Sequence, residues 1–115
     1  MSKNYTEINQ QQRKLGSAFR KESPDTLNAF LNLHKAAFAP GAMETKYKEL
    51  IAVAIAIAIN VRYDGCIGSH VEAAVKAGAS REELIETINV AILMGGGPAV
   101  IYGTQALAAV DEFCE

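Results

Sequence analysis

Two reactive side chains stand one helical turn apart in the stretch Tyr63-Asp64-Gly65-Cys66-Ile67-Gly68-Ser69-His70. Read as a helix, it puts Cys66 and His70, four residues apart, on one face, close enough to exchange a proton. A cysteine becomes a nucleophile when it loses its proton and can reach its target. Asp64-Gly65 reads as a helix entrance, with Asp64 as N-cap. Cys66 then lies in the first turn, where the positive end of the helix dipole favours a thiolate, and His70 is placed to take up the proton. The plainer alternative is a buried structural cysteine beside a solvated histidine.

The rest of the chain reads as the helices that hold this stretch. Residues Thr6 to Lys21 form the first, with Ile8, Leu15, Ala18 and Phe19 on one face. Ser23-Pro24-Asp25 starts the second, with Ser as N-cap and Pro in the first position. Leu27, Phe30, Leu31, His34 and Phe38 then recur at helical spacing until Pro40-Gly41 ends the run. His34 lies on that apolar stripe and is expected to be a packing residue. Thr45 is a candidate cap for the third helix, with Tyr47, Lys48 and Glu49 in its first turns. The alternating Ala and Ile residues from Ala54 to Ile59 suit a strand as well as a helix. Alanine is the best helix former and a poor strand former, and no second strand-like run exists to pair with it, so a central helix is predicted.

The helix carrying Cys66 is predicted over Asp64 to Ala77, with Gly78 as its stop. Ser80 and Glu83 make a capping box for the next, whose apolar face is Leu84, Ile88, Ala91 and Ile92. Gly95-Gly96-Gly97-Pro98 ends it. A phosphate cradle is the sharper reading of those glycines, but no Lys-Ser/Thr follows and no strand precedes, so a tight interhelical turn is expected. A last helix from Pro98 carries Val100, Ile101, Leu107, Val110 and Phe113. The expectation is an all-α subunit of about six helices and a single domain over residues 1–115.

Composition narrows the function classes. Half of the residues are hydrophobic and 21% are charged, which describes a globular chain with apolar surface to spare for contacts between subunits. A net charge of −2 with scattered Lys and Arg gives no footprint for nucleic acid. The N-terminal stretch lacks the apolar core of a signal peptide, and the longest apolar run, Leu50 to Ile59, is too short to span a bilayer. No membrane association and a cytoplasmic location are expected. Two cysteines, Cys66 and Cys114, do not make a disulfide scaffold.

From Lys48 to Ala106 the chain resembles the carboxymuconolactone decarboxylase family, which includes alkylhydroperoxidase D (AhpD). The matching residues are Lys48-Glu49-Leu50-Ile51-Ala52, Asp64-Gly65-Cys66-Ile67, His70, Ala77-Gly78-Ala79, Glu82-Glu83-Leu84 with Glu86, and Met94-Gly95-Gly96-Gly97-Pro98 through Tyr102. The resemblance implies a helical subunit that assembles into homo-oligomers, trimers or hexamers. In the AhpD branch it implies a Cys-x-x-Cys-x-x-x-His site assisted by a glutamate from the preceding helix. The second cysteine attacks peroxide, the first resolves the product as a disulfide, and His and Glu relay the proton. By position Cys66 matches the attacking cysteine, His70 the histidine and Glu49 the glutamate. Tyr63 stands where the first cysteine would be. Glu49 has a competing reading as a charge that favours the start of its own helix.

Three functions compete. An AhpD-like thiol-dependent peroxidase in antioxidant defence would use Cys66, His70 and Glu49, a peroxide or other small-molecule substrate and an external thiol reductant, with no cofactor. A decarboxylase-type lyase would clamp a carboxylated substrate through Arg62, Arg81 or Lys76, each of which also reads as solvated charge. A non-catalytic oligomer or oxidant sensor would show no turnover. A zinc site from Cys66, His70, His34 and Cys114 lacks paired-ligand spacing, and no metal is expected. The peroxidase reading accounts for the most residues.

Overall fold

Helix propensity decides the ambiguous stretch, and the alternating alanines and isoleucines lie in an α-helix as far as Ala58, with Ile59 as its C-cap. The computed structural model describes residues 4–59 and 64–114. Among them it has six helices: α1 (Tyr5–Glu22), α2 (Pro24–Phe38), α3 (Thr45–Ala58), α4 (Asp64–Lys76), α5 (Arg81–Gly95) and α6 (Gly97–Phe113). No described residue lies in a strand.

The core forms where α3, α4, α5 and α6 meet. Val53 and Ile57 of α3, Ile67 and Val71 of α4, Leu84 of α5 and Val110 of α6 are all fully buried. Each such side chain contributes about 1.5–3 kcal/mol relative to an exposed one. Small residues bring α6 into place, since Ala99, Gly103, Ala106 and Ala109 are buried along one of its faces. The α3 helix is central, but only one side of it is covered. Ile51 and Ile55 lie outward, about half exposed.

Most helix ends follow the sequence signals. Ser80 and Glu83 form the complete capping box, each side chain accepting from the other's backbone N–H. Gly78 (φ +102°) stops α4. Its N–H donates to Val75 O at 3.0 Å and that of Ala79 to Ala74 O at 2.9 Å, which is a Schellman closure. The glycine run is a tight turn between α5 and α6, with Gly96 at φ +76° between the last residue of one helix and the first of the next. Gly95 is required by closeness instead, because a Cβ there would lie 2.9 Å from the carbonyl oxygen of Ala58.

Three local expectations change. Thr45 is the first residue of α3, not its cap. Glu44 holds the cap position, and the Thr45 hydroxyl donates to Phe38 O at 2.7 Å. Ser23 is the N-cap residue of α2 without a side-chain capping bond; its N–H closes α1 by donating to Phe19 O. In α1 the buried residues are Tyr5 and Asn9, whereas Leu15 and Phe19 are exposed. The reason is that α1 docks on α4 through its first half. Asn9 Nδ2 donates to Gly68 O at 3.1 Å and to Glu72 Oε1 at 2.9 Å.

The start of α1 is held from the far end of the chain. Glu112 of α6 accepts from the N–H of Tyr5 at 2.8 Å, from the N–H of Thr6 at 2.6 Å, and from the Thr6 hydroxyl. Burial alone would raise the Glu112 carboxyl, but the bonds from the Thr6 hydroxyl and the two N–H groups outweigh it and lower it below the ordinary carboxylate range. A carboxyl lowered on folding stabilises the fold above its unfolded value, and this contribution disappears as pH falls through the folded value. Glu112→Gln is therefore expected to cost about 1–2 kcal/mol at neutral pH. Thermal melts of the two proteins should converge only as pH falls below the ordinary carboxylate range, where the wild-type carboxyl also protonates.

Candidate functional site

The candidate site lies between α3 and α4. Glu49 is in the second turn of α3 and is buried, at 5% exposure. A carboxylate there needs a partner in place of water. His70 supplies it across the helix interface, with Nδ1 2.8 Å from Glu49 Oε1. A carboxylate only accepts, so Nδ1 carries the hydrogen, and Nε2 is left as the nitrogen that can exchange a proton with a third group. Glu49 thus faces the core and not the helix start; the first turn of α3 holds no acidic residue.

Cys66 and His70 both belong to α4, with Cys66 in its first turn. The i, i+4 spacing gives Cβ atoms about 5–6 Å apart. Cys66 is half-buried, packs against the apolar core and carries a free thiol. Gly68 lies between the two and has a steric reason. A Cβ at this position would sit 2.9 Å from Asn9 Oδ1 and 2.9 Å from the Tyr5 ring. A mid-helix glycine costs about 1 kcal/mol relative to alanine, and here it lets α1 brace the helix that carries both residues.

Sequence reasoning placed His34 in the packing stripe of α2. The structure instead leaves it exposed, with its ring near-parallel to that of His70, 6.4 Å between centroids and 12° between planes. Phe38, one turn on, lies 5.8 Å from His70 and 4.6 Å from His34. The α2 helix buries none of its residues, so its stripe had no core to enter. A second residue missed from sequence, Asn9, could have been suspected from its position one helical turn after Tyr5, the other buried residue of α1.

The expected helix cap at Asp64 and the residue at the first-cysteine position, Tyr63, lie outside the described residues and side chains, as does Arg62. Of the other cations weighed as a substrate clamp, Arg81 is bound through Nε to Asp111 at 2.8 Å. Lys76 pairs with Glu72 at 3.6 Å. Cys114 lies among Arg81, Asp111 and Glu82; burial pushes its thiol up, against the pull of Arg81. Among the described residues no three His, Cys, Asp or Glu gather as a metal-binding group. No helix among them is long and apolar enough to cross a membrane.

The sequence model of the carboxymuconolactone decarboxylase family matches residues 24–111, which contain Glu49, Cys66 and His70. The chain belongs to this family. A carboxymuconolactone decarboxylase family protein of Legionella pneumophila is similar in structure and sequence, with a TM-score of 0.90 and 42% identity over 96% of this chain and 97% of that one. A family protein of Thermotoga maritima, described as a candidate participant in an antioxidative response, superposes with a TM-score of 0.79 at 27% identity, covering 92% of this chain and 88% of its own. An uncharacterized protein of Cupriavidus necator is 41% identical over 92% of this chain and 88% of its own length. The all-helical architecture is thus shared with the Legionella protein over 96% of this chain.

Proposed function

We propose that this family member is a thiol-dependent hydroperoxidase of the AhpD type, with Cys66 as nucleophile, His70 as proton carrier and Glu49 as the residue that holds His70. The observation that carries the reading is the 2.8 Å bond between buried Glu49 and His70, one helical turn from Cys66. A buried carboxylate, a histidine bonded to it and a thiol one helical turn away are the parts from which an activated cysteine is built. The antioxidative description of the Thermotoga relative points the same way. For a lyase reading, the described cations weighed as its substrate clamp, Arg81 and Lys76, instead face the carboxylates of Asp111 and Glu72.

The chemistry balances with one cysteine. His70 takes the thiol proton, and the Cys66 thiolate attacks the terminal oxygen of a hydroperoxide. An S–O bond forms as the O–O bond breaks, and the alkoxide leaves as alcohol with the proton from His70. Cys66 is then a sulfenic acid, oxidised by two electrons. An external thiol attacks its sulfur and expels water, and a second thiol reduces the mixed disulfide and restores Cys66. Peroxide consumption with several thiol donors, in wild type beside Cys66→Ser, tests the reading. Equal rates in both proteins would overturn it.

The same reading includes a cytoplasmic homo-oligomer. On α3, Ile51 and Ile55 form an outward ridge between two apolar grooves. One, of about 340 Å³, is lined by Met43, Tyr47, Leu50 and Val90; the other, of about 320 Å³, by Ala37, Phe38 and Ala52. A ridge flanked by grooves is the shape one helix offers to another, and Leu93 and Met94 extend the apolar surface at 79% and 76% exposure. Sedimentation at micromolar concentration is expected to show a trimer or hexamer, and Ile55→Glu should shift it towards monomer. A wild-type monomer would sink the idea.

A further inference from the structure

We propose that His34 and Phe38 act as positioning residues for His70, clamping its ring from α2 so that Nε2 is held in one orientation. The inference rests on the reading that His70 serves Cys66. Glu49 fixes one atom of the imidazole, Nδ1. A single hydrogen bond leaves the ring free to turn about that contact, because the second side-chain torsion of histidine is broad. The two α2 rings supply the missing restraint. Phe38 lies 5.8 Å and His34 6.4 Å from the His70 centroid, at 27° and 12° to its plane. Both rings lie near-parallel to the imidazole at the separation of offset-stacked pairs, so they crowd it from the α2 side and oppose its rotation.

The helix that carries the clamp is held by the helix that carries Glu49. Thr45 Oγ1 donates to Phe38 O at 2.7 Å, and Lys48 Nζ donates to Ala39 O at 2.6 Å. These are carbonyls that the end of α2 leaves without helical partners. The first turns of α3 therefore set the hydrogen bond and the stack together. His34 reaches nothing in the core: it is exposed, and α2 buries no residue. The contacts that the structure gives its ring are those to Phe38 and His70.

Two measurements on full-length protein separate the clamp from its use. In nitrogen-resolved NMR of the imidazoles, His34→Ala should broaden or shift the His70 ring signals, and His34→Phe should restore them. Alkylation of Cys66 by iodoacetamide, read by mass spectrometry at fixed pH, should slow about three- to tenfold in His34→Ala, the size of one aromatic contact. His34→Phe should recover the rate, and Cys114 in the same molecules serves as the reference thiol whose rate does not change. His70 signals and Cys66 rates unaltered by His34→Ala would overturn the proposal. So would a His34→Phe protein as slow as the alanine variant, since the nitrogens of His34 and not the stack would then matter. A protein without peroxide turnover but with the His34 effects intact would discard the peroxidase reading alone.

Discussion

Replacing His70 with alanine is expected to slow the oxidation of Cys66 by peroxide about 10²–10⁴-fold, the range of a positioned proton-transfer group. The variant removes both the acceptor of the thiol proton and the partner of Glu49. The second loss has its own cost, because an unpaired buried carboxylate destabilises the fold or takes up a proton itself. Glu49→Gln separates the two effects. Its amide oxygen can still accept from Nδ1–H, so the ring stays near its place, but the charge that stabilises an imidazolium is gone. A loss clearly smaller than that of His70→Ala is expected, with the fold intact. Single-turnover kinetics at substoichiometric peroxide give the comparison. If Glu49→Gln and His70→Ala both oxidise at the wild-type rate, the pair is a packing device and Cys66 reacts unaided.

The second large effect is a change of product. One equivalent of peroxide is expected to leave wild-type Cys66 as a sulfenic acid or, with a small thiol present, a mixed disulfide. The reason is the tyrosine at position 63, where the AhpD pattern has its resolving cysteine. Cys114 is the other thiol of the chain. It sits half-buried among Arg81, Asp111 and Glu82, and no disulfide joins it to Cys66. Burial also keeps it protonated, which makes it a poor attacking group. Tyr63→Cys should convert the product into an internal disulfide with Cys66 and open the cycle to dithiols. Peptide mapping distinguishes the species by mass. A Cys66–Cys114 bridge in oxidised wild type would make Cys114 the resolving residue and remove the one-cysteine cycle.

Local rules reached far in this chain. The six helices, the Ser80–Glu83 capping box, the stop at Gly78 and the tight turn at Gly96 each depend on a few neighbouring residues, so spacing and propensity sufficed. The Cys66–His70 pair was legible for the same reason, as one helical turn relates them. Glu49 was different. Twenty-one residues separate it from His70, and it entered through family resemblance, with a helix-start role as an equal alternative.

What only the tertiary structure decided is which side chains meet across helices. It turned Glu49 inward to His70, because a buried carboxylate must exchange water for a partner, and the packing of α3 on α4 offered that one. It set the exposed His34 ring near-parallel to the same imidazole, 6.4 Å away between centroids, although an apolar stripe had suggested a core position. The stripe of α2 was real, but none of its residues is buried among the described residues of the chain. It also gave Gly68 its reason, the approach of Asn9 and Tyr5 from α1. Helical periodicity is a property of neighbours along the chain, so the sequence alone determined the elements and the turn that joins Cys66 to His70. The partners of that turn come from helices far away in sequence, and only their packing could select them.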